Sequence, residues 1–162
     1  MDAIAKRTLR TPEDLVSAGL ISADHAASLA PVADRYATAI PPALLELIHT
    51  TPDPDPLTRQ FVPSAAELDT YPEELGDPIG DQGHSPVKGV VHRYPDRALL
   101  IPTLVCPVYC RFCFRREVVG PDGGALTAAQ LDAALAYIRN TPKIWEVILT
   151  GGDPLILSTR RI

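Results

Sequence analysis

The sequence has no apolar run of about 18 or more residues, so no membrane-spanning helix is expected. Its opening stretch, Met1-Asp2-Ala3-Ile4-Ala5-Lys6-Arg7, has no apolar core segment, which argues against a secretory signal and for a cytoplasmic setting. Positive charge is also in short supply. Lys and Arg number 15 against 20 Asp and Glu, a net charge of −5, so no cationic surplus exists to neutralise phosphates. Neither a general nucleic-acid surface nor an anionic-membrane surface is expected. Internal repeats and low-complexity tracts are lacking as well. Cysteines are few and odd in number: three, which leaves one stranded in any disulfide scheme.

What is present is a chain of 162 residues, 46% apolar and 22% charged, with room for one domain and a core. Proline is abundant. The 17 prolines are about twice the usual share of roughly 5%, and most precede residue 110, which predicts short helices and ordered loops there. Thr11-Pro12-Glu13-Asp14 reads as an N-cap, a proline at the first helical position and an acidic first turn, with Gly19 as the stop. Ser22 opens a second helix, along which Leu29, Val32, Ala33 and Tyr36 recur at three- and four-residue spacing. Pro42 opens a third, through Leu44, Leu45, Leu47 and Ile48. The alternation Thr51-Pro52-Asp53-Pro54-Asp55-Pro56 is a connector. Arg59-Gln60-Phe61-Val62 and the capping-box pattern Ser64-Ala65-Ala66-Glu67 predict two more helical turns. Residues 76–97 read as a loop rich in anion-binding side chains, in which Lys88 is a solvated residue.

From residue 98 the pattern turns to strand, helix, strand. Ala98-Leu99-Leu100-Ile101 is a buried strand, with Pro102 pointing to an edge or a strand end. Thr127-Ala128-Ala129-Gln130 caps a helix with Leu131, Ala134, Leu135 and Ile138 on one face, closed by Asn140 and Pro142. Trp145 to Thr150 is the second strand, ending in Gly151-Gly152-Asp153-Pro154. A βαβ unit with parallel strands follows, and its chemistry belongs on the loops at the carboxyl ends of those strands. Both Cys106–Cys113 and Gly151–Pro154 fall there. The fold class is therefore α/β, with a helical region at 1–70, an ordered loop segment at 71–97 and the βαβ region at 98–162.

All three cysteines lie in Cys106-Pro107-Val108-Tyr109-Cys110-Arg111-Phe112-Cys113. Thiolates are soft ligands that suit zinc or an iron–sulfur cluster, and three of them leave either one ligand short. A disulfide strands one cysteine. Zinc needs a fourth ligand, for which His84 and His92 are distant candidates. A small zinc-binding interaction module is thus one reading and a cluster protein another.

The Cys-x3-Cys-x2-Cys spacing, with Phe112 before the last cysteine, resembles the cluster loop of radical S-adenosylmethionine enzymes. Further stretches extend the likeness. Asp77-Pro78-Ile79-Gly80-Asp81, His84-Ser85-Pro86-Val87, His92-Arg93-Tyr94-Pro95-Asp96-Arg97, the cysteine loop with Arg115-Arg116, and Thr150-Gly151-Gly152-Asp153-Pro154-Leu155 resemble the lysine 2,3-aminomutase family in order and spacing. The likeness is strong over 57–158 and looser before it. It implies a partial (β/α)6 radical SAM barrel after a helical region, of which this chain would hold only the first βαβ unit. It also implies a 1,2-amino shift converting L-lysine to β-lysine with a 4Fe–4S cluster, S-adenosyl-L-methionine and pyridoxal 5′-phosphate.

On this resemblance Cys106, Cys110 and Cys113 hold the cluster and leave one iron open for the sulfonium cofactor. Gly151, Gly152 and Asp153, in place of the more usual Gly-Gly-Glu, and Phe112 lie at the S-adenosylmethionine site. Arg93, Tyr94 and Arg97 lie near the pyridoxal phosphate's phosphate group, and Arg115 pairs with the substrate carboxylate. The implied partners are lysine or a lysine-like amino acid, an electron donor for the cluster and further copies in a homo-oligomer. A branch acting in elongation factor P modification is the alternative within the family, and Phe112 and Phe114 resemble it slightly. The family's pyridoxal lysine lies downstream of residue 162, so the expectation is an N-terminal fragment, inactive and poorly stable alone.

Overall fold

The computed structural model of the chain describes residues 7–48 and 55–161. They form two compact units, one of residues 7–48, 55–74 and 107–117 and the other of 75–106 with 118–161. The first is helical. α1 (Pro12–Ser17) starts as its sequence dictates, with Thr11 accepting from the Asp14 amide and the Asp14 carboxylate accepting from the Thr11 amide, and with Pro12 in the first turn. α2 (Ala23–Arg35) is capped by Ser22 and carries Pro31 inside it. α3 is shorter than its apolar run suggests, ending at Leu45 (Pro42–Leu45), and α4 (Pro56–Phe61) is capped by Asp55. The remainder of the proline-acid connector lies outside the described residues.

Two apolar clusters hold this unit together. Leu9, Leu15, Ile40, Ile48 and Phe61 form one, and Leu29, Val32 and Tyr36 form the other. Leu9 and Ile40 also exchange backbone hydrogen bonds at 2.9 and 3.0 Å, tying the start of the described chain to the stretch before α3. The 3-10 turn Ala65–Leu68 follows the Ser64 capping box.

The second unit is built on a three-stranded sheet of order β1-β2-β3. β1 (Val90–Tyr94) and β2 (Arg97–Thr103) are antiparallel, β2 and β3 (Glu146–Gly151) parallel, and α5 (Ala128–Arg139) joins the last two. Mixed α/β architecture and the βαβ unit are thus both present. The sequence reading of 76–97 as loop fails over β1. Pro95-Asp96 is in fact a tight hairpin turn, with Tyr94 opposite Arg97 and Val90 opposite Leu100. Val90, Ala98, Leu100 and Ala134 form the unit's core, with Leu131 and Ile138 of α5 against them.

Pro102 is tolerated in the central strand for a readable reason. β1 begins at Val90, opposite Leu100, and the β2–β3 register slips between Leu100 and Thr103. The proline therefore stands where neither neighbour pairs in register, and its carbonyl accepts from the Leu126 amide instead, at 2.9 Å. β3 is the sheet's other edge, with Val147, Ile148 and Leu149 all more than a third exposed. No helix among the described residues is long and apolar enough to cross a membrane.

The hairpin turn is fastened electrostatically. Arg97 Nε and Nη2 donate to the Asp96 carboxylate at 3.1 and 3.0 Å, and the Trp145 indole donates to it at 3.3 Å. The hydrogen bonds from Arg97, first among several causes, pull the Asp96 pKa from 3.8 down to about 2. A depressed carboxylate pKa stabilises the fold above the unfolded-state value and loses that contribution as pH falls through the folded-state value. Asp96→Asn should therefore lower the urea midpoint at about pH 5 clearly more than at about pH 2, in denaturation followed by circular dichroism. An equal drop at both pH values would contradict this.

Candidate functional site

Two segments carry the sequence-predicted residues, one in each unit. In the sheet unit, β2 runs through Thr103 to Leu104, Val105 and Cys106, and the turn after β3 lies alongside it. The Gly152 amide donates to the Thr103 carbonyl at 2.8 Å and the Asp153 amide to the Val105 carbonyl at 2.9 Å. Both glycines are required by this approach. Gly151 has φ +116°, and a Cβ there would stand 2.6 Å from the Thr103 carbonyl oxygen. A Cβ on Gly152 would strike the Val105 carbonyl oxygen and lie 2.7 Å from the Leu104 carbonyl carbon. Asp153 accepts from the Leu155 amide at 2.9 Å and so caps the short turn Pro154–Ile156. The two glycines thus lie against the backbone leading into Cys106.

In the same unit Arg93, Tyr94 and Arg97 line one cleft of about 200 Å³ together with Ile79, Asp81 and Ile148. Arg93 donates to the Ile79 carbonyl and lies 4.0 Å from Asp81. Arg97 already faces two carboxylates, Asp96 and, at 3.6 Å, Glu146. Beside the cleft-lining residues of β1, His92 Nδ1 is hydrogen-bonded to the Tyr137 hydroxyl at 2.7 Å, and its Nε2 is buried without a hydrogen-bond partner among the described residues. His84, the other candidate, is exposed on the 3-10 turn Gln82–His84.

Cys110 and Cys113 lie on the segment Pro107–Glu117 of the helical unit. Its side chains divide into anchors and presented groups. Tyr109 and Arg111 are buried, whereas Phe112 is 79% and Phe114 49% exposed. Val108 and Cys110 pack against the Leu9–Phe61 cluster, and the Tyr109 amide donates to the Ala39 carbonyl at 3.4 Å. Arg111 is the central anchor. Its Nε and Nη2 donate to the two oxygens of Glu67 at 3.0 and 2.7 Å, its Nη1 to the Ala37 carbonyl at 2.8 Å, and its backbone amide to the Gln60 carbonyl at 2.8 Å. At the far end the guanidinium groups of Arg116 and Arg35 stand 4.7 and 4.9 Å from the centre of the Tyr36 ring. The Tyr36 hydroxyl donates to Glu117 at 2.9 Å, and burial with that hydrogen bond raises its pKa, so the phenol stays protonated.

Between these anchors Cys110 and Cys113 are half-buried thiols, and none of the three cysteines is in a disulfide. The Cys113 amide donates to the Cys110 carbonyl at 3.3 Å, closing a turn across the Cys-x2-Cys pair. Arg115 stacks over Phe114 at 4.5 Å. Among the described residues no three His, Cys, Asp or Glu side chains are already grouped as a metal-holding set. Sequence reasoning missed Arg111 and saw Glu67 only as a cap. The signal was there: a charged residue enclosed between two cysteines and an aromatic, on an otherwise apolar stretch.

No protein-family model matches the chain. Curated relatives do, and they are aminomutases, a class of isomerases. The L-lysine 2,3-aminomutase of Acetoanaerobium sticklandii is 43% identical over 129 residues, 80% of this chain and 31% of the relative. That of Clostridium subterminale is 37% identical over 153 residues, 94% of this chain and 37% of the relative. A glutamate 2,3-aminomutase of Clostridioides difficile is 35% identical over 126 residues, 78% of this chain and 30% of the relative. The chain belongs to the lysine 2,3-aminomutase family and spans about a third of the length of these relatives.

The glycine pair gives a direct test of the strand-end geometry. Gly152→Ala should cost ~1–3 kcal/mol of unfolding free energy, because the Val105 carbonyl must be pushed aside, and chemical denaturation measures it. A change within ~0.5 kcal/mol, the range of an ordinary surface substitution, would contradict the packing described.

Proposed function

We propose that this chain is the cluster-bearing part of a radical S-adenosylmethionine aminomutase, acting on lysine or a lysine-like amino acid. The observation that carries the reading is the cysteine loop: three thiols within eight residues, two of them on a segment whose buried side chains are tied down while Phe112 and Phe114 are exposed. Soft sulfur donors of this number fit an iron–sulfur cluster. The βαβ unit fits the opening of a (β/α)6 barrel, and a reducing cytoplasm with an electron donor goes with three thiols.

When bound, a 4Fe–4S cluster with S-adenosylmethionine supplies a carbon radical for hydrogen abstraction, and pyridoxal phosphate carries the amino group. The chain's own residues have simpler tasks. Cys106, Cys110 and Cys113 would hold the cluster. Gly151 and Gly152 keep the turn after β3 flat against the backbone entering Cys106, and Asp153 fixes that turn by capping it. These three residues would line the sulfonium cofactor's site. Phe112 offers an exposed aromatic face beside Cys113, suited to an apolar or adenine-like surface.

Arg115 would orient the substrate carboxylate through a planar guanidinium, already stacked on Phe114. A carboxylate is common to lysine and glutamate, the amino acids named for the relatives, so this contact would hold either one and leave side-chain choice to other residues. The cleft of Arg93, Tyr94 and Arg97 has the residue types to receive a phosphate, with Arg97 exchanging a carboxylate partner to do so.

Anaerobic reconstitution with iron and sulfide tests the reading. The chain should take up about four iron atoms and show a visible charge-transfer band and an electron-spin signal on reduction, all lost in Cys113→Ser. Uptake of stoichiometric zinc without those signals would contradict it and favour a zinc-binding module.

A further inference from the structure

Arg111 lies inside the Cys-x2-Cys pair and is 7% exposed, a degree of burial that a charged side chain reaches only when paired. Its four hydrogen bonds go to three separate stretches of the helical unit: Glu67 in the 3-10 turn, Ala37 after α2, and Gln60 in α4. Glu67 is itself fixed. Its Oε1 also accepts from the Ser64 amide at 2.9 Å, so the carboxylate that closes the capping box is the one that receives the guanidinium fork. The Gln60 side-chain amide approaches Cys110 Sγ at 4.0 Å. Arg111 thus has its backbone and its side chain located independently, and Cys110 and Cys113 are set off from it by one and two residues.

We propose that Arg111, through its bidentate pair with Glu67, is a positioning residue that sets the placement of Cys110 and Cys113 for cluster binding. This rests on the cluster reading above. The role is geometric: with Glu67 neutralising it, the guanidinium brings no net charge to the thiolates. A fixed fork is what the geometry uses, and lysine, a point charge on a flexible stem, cannot supply it. Groups that orient ligands from outside the coordination sphere commonly change metal affinity by about 10–100-fold when removed.

The test uses the full chain with Arg111→Lys and Glu67→Gln, each checked for native helical content by circular dichroism. Two readouts are taken. In reconstituted protein, loss of iron to a chelator should be at least about tenfold faster in both variants than in the unaltered chain, with altered electron-spin parameters on reduction. In metal-free protein, alkylation of Cys110 and Cys113, resolved by mass spectrometry, should accelerate about tenfold as the loop opens locally, with the helical signal retained. Unchanged alkylation overturns the proposal, and so does loss of the helical signal together with the thiol protection, since the pair would then be a general stabiliser of the unit. If the unaltered chain takes up no cluster while the alkylation result holds, the cluster reading fails and the positioning of the two cysteines stands.

Discussion

A single buried charge organises the cysteine loop. Moving a guanidinium out of water is costly, and the cost is offset here only because the geometry is close to ideal: a bidentate carboxylate, a backbone carbonyl on the third nitrogen, and short distances throughout. Such a pair adds little net stability compared with an apolar filling of the same space, but it is intolerant of displacement. That intolerance is what a loop with thiols on it needs. Tyr109 ahead of Arg111 and the Arg116–Tyr36–Glu117 group behind it fix the two ends, and the exposed phenylalanines are left at the surface between.

The sheet unit solves a related problem with backbone alone. β2 delivers the chain to Cys106, and the glycine turn after β3 is drawn onto the last residues of that delivery by two amide–carbonyl hydrogen bonds. Side chains at 151 and 152 would prevent it. Pro102, which looks out of place in a central strand, sits where the ladder on one side has ended and that on the other has slipped. The strand end is thus irregular by construction, and irregular backbone at the carboxyl ends of parallel strands is where α/β proteins place their chemistry.

Much of this was legible in the sequence because it depends on local rules. Thr11, Ser22, Ser64 and Thr127 each announce a helical start, and each is found capping one. The strand, helix, strand order after residue 98 follows from apolar spacing and is seen with parallel pairing. β1 was hidden because His92, Arg93 and Tyr94 are polar or aromatic and Pro95 reads as a breaker, whereas the hairpin makes that proline a turn residue. The Arg111–Glu67 pair was hidden for a different reason: its partners are 44 residues apart, and no spacing rule connects a capping-box glutamate to an arginine between cysteines. The cysteines themselves were plain from their spacing, while the contacts that locate them were not.

Hydrogen exchange at the Arg111 backbone amide, in the metal-free chain, tests the central claim most directly. This amide donates to the Gln60 carbonyl and can exchange only when the loop leaves the helical unit. The account predicts protection within about tenfold of that of the Ile40 amide in the same unit's core. Exchange at the rate of an unstructured loop, while Ile40 stays protected, would contradict it.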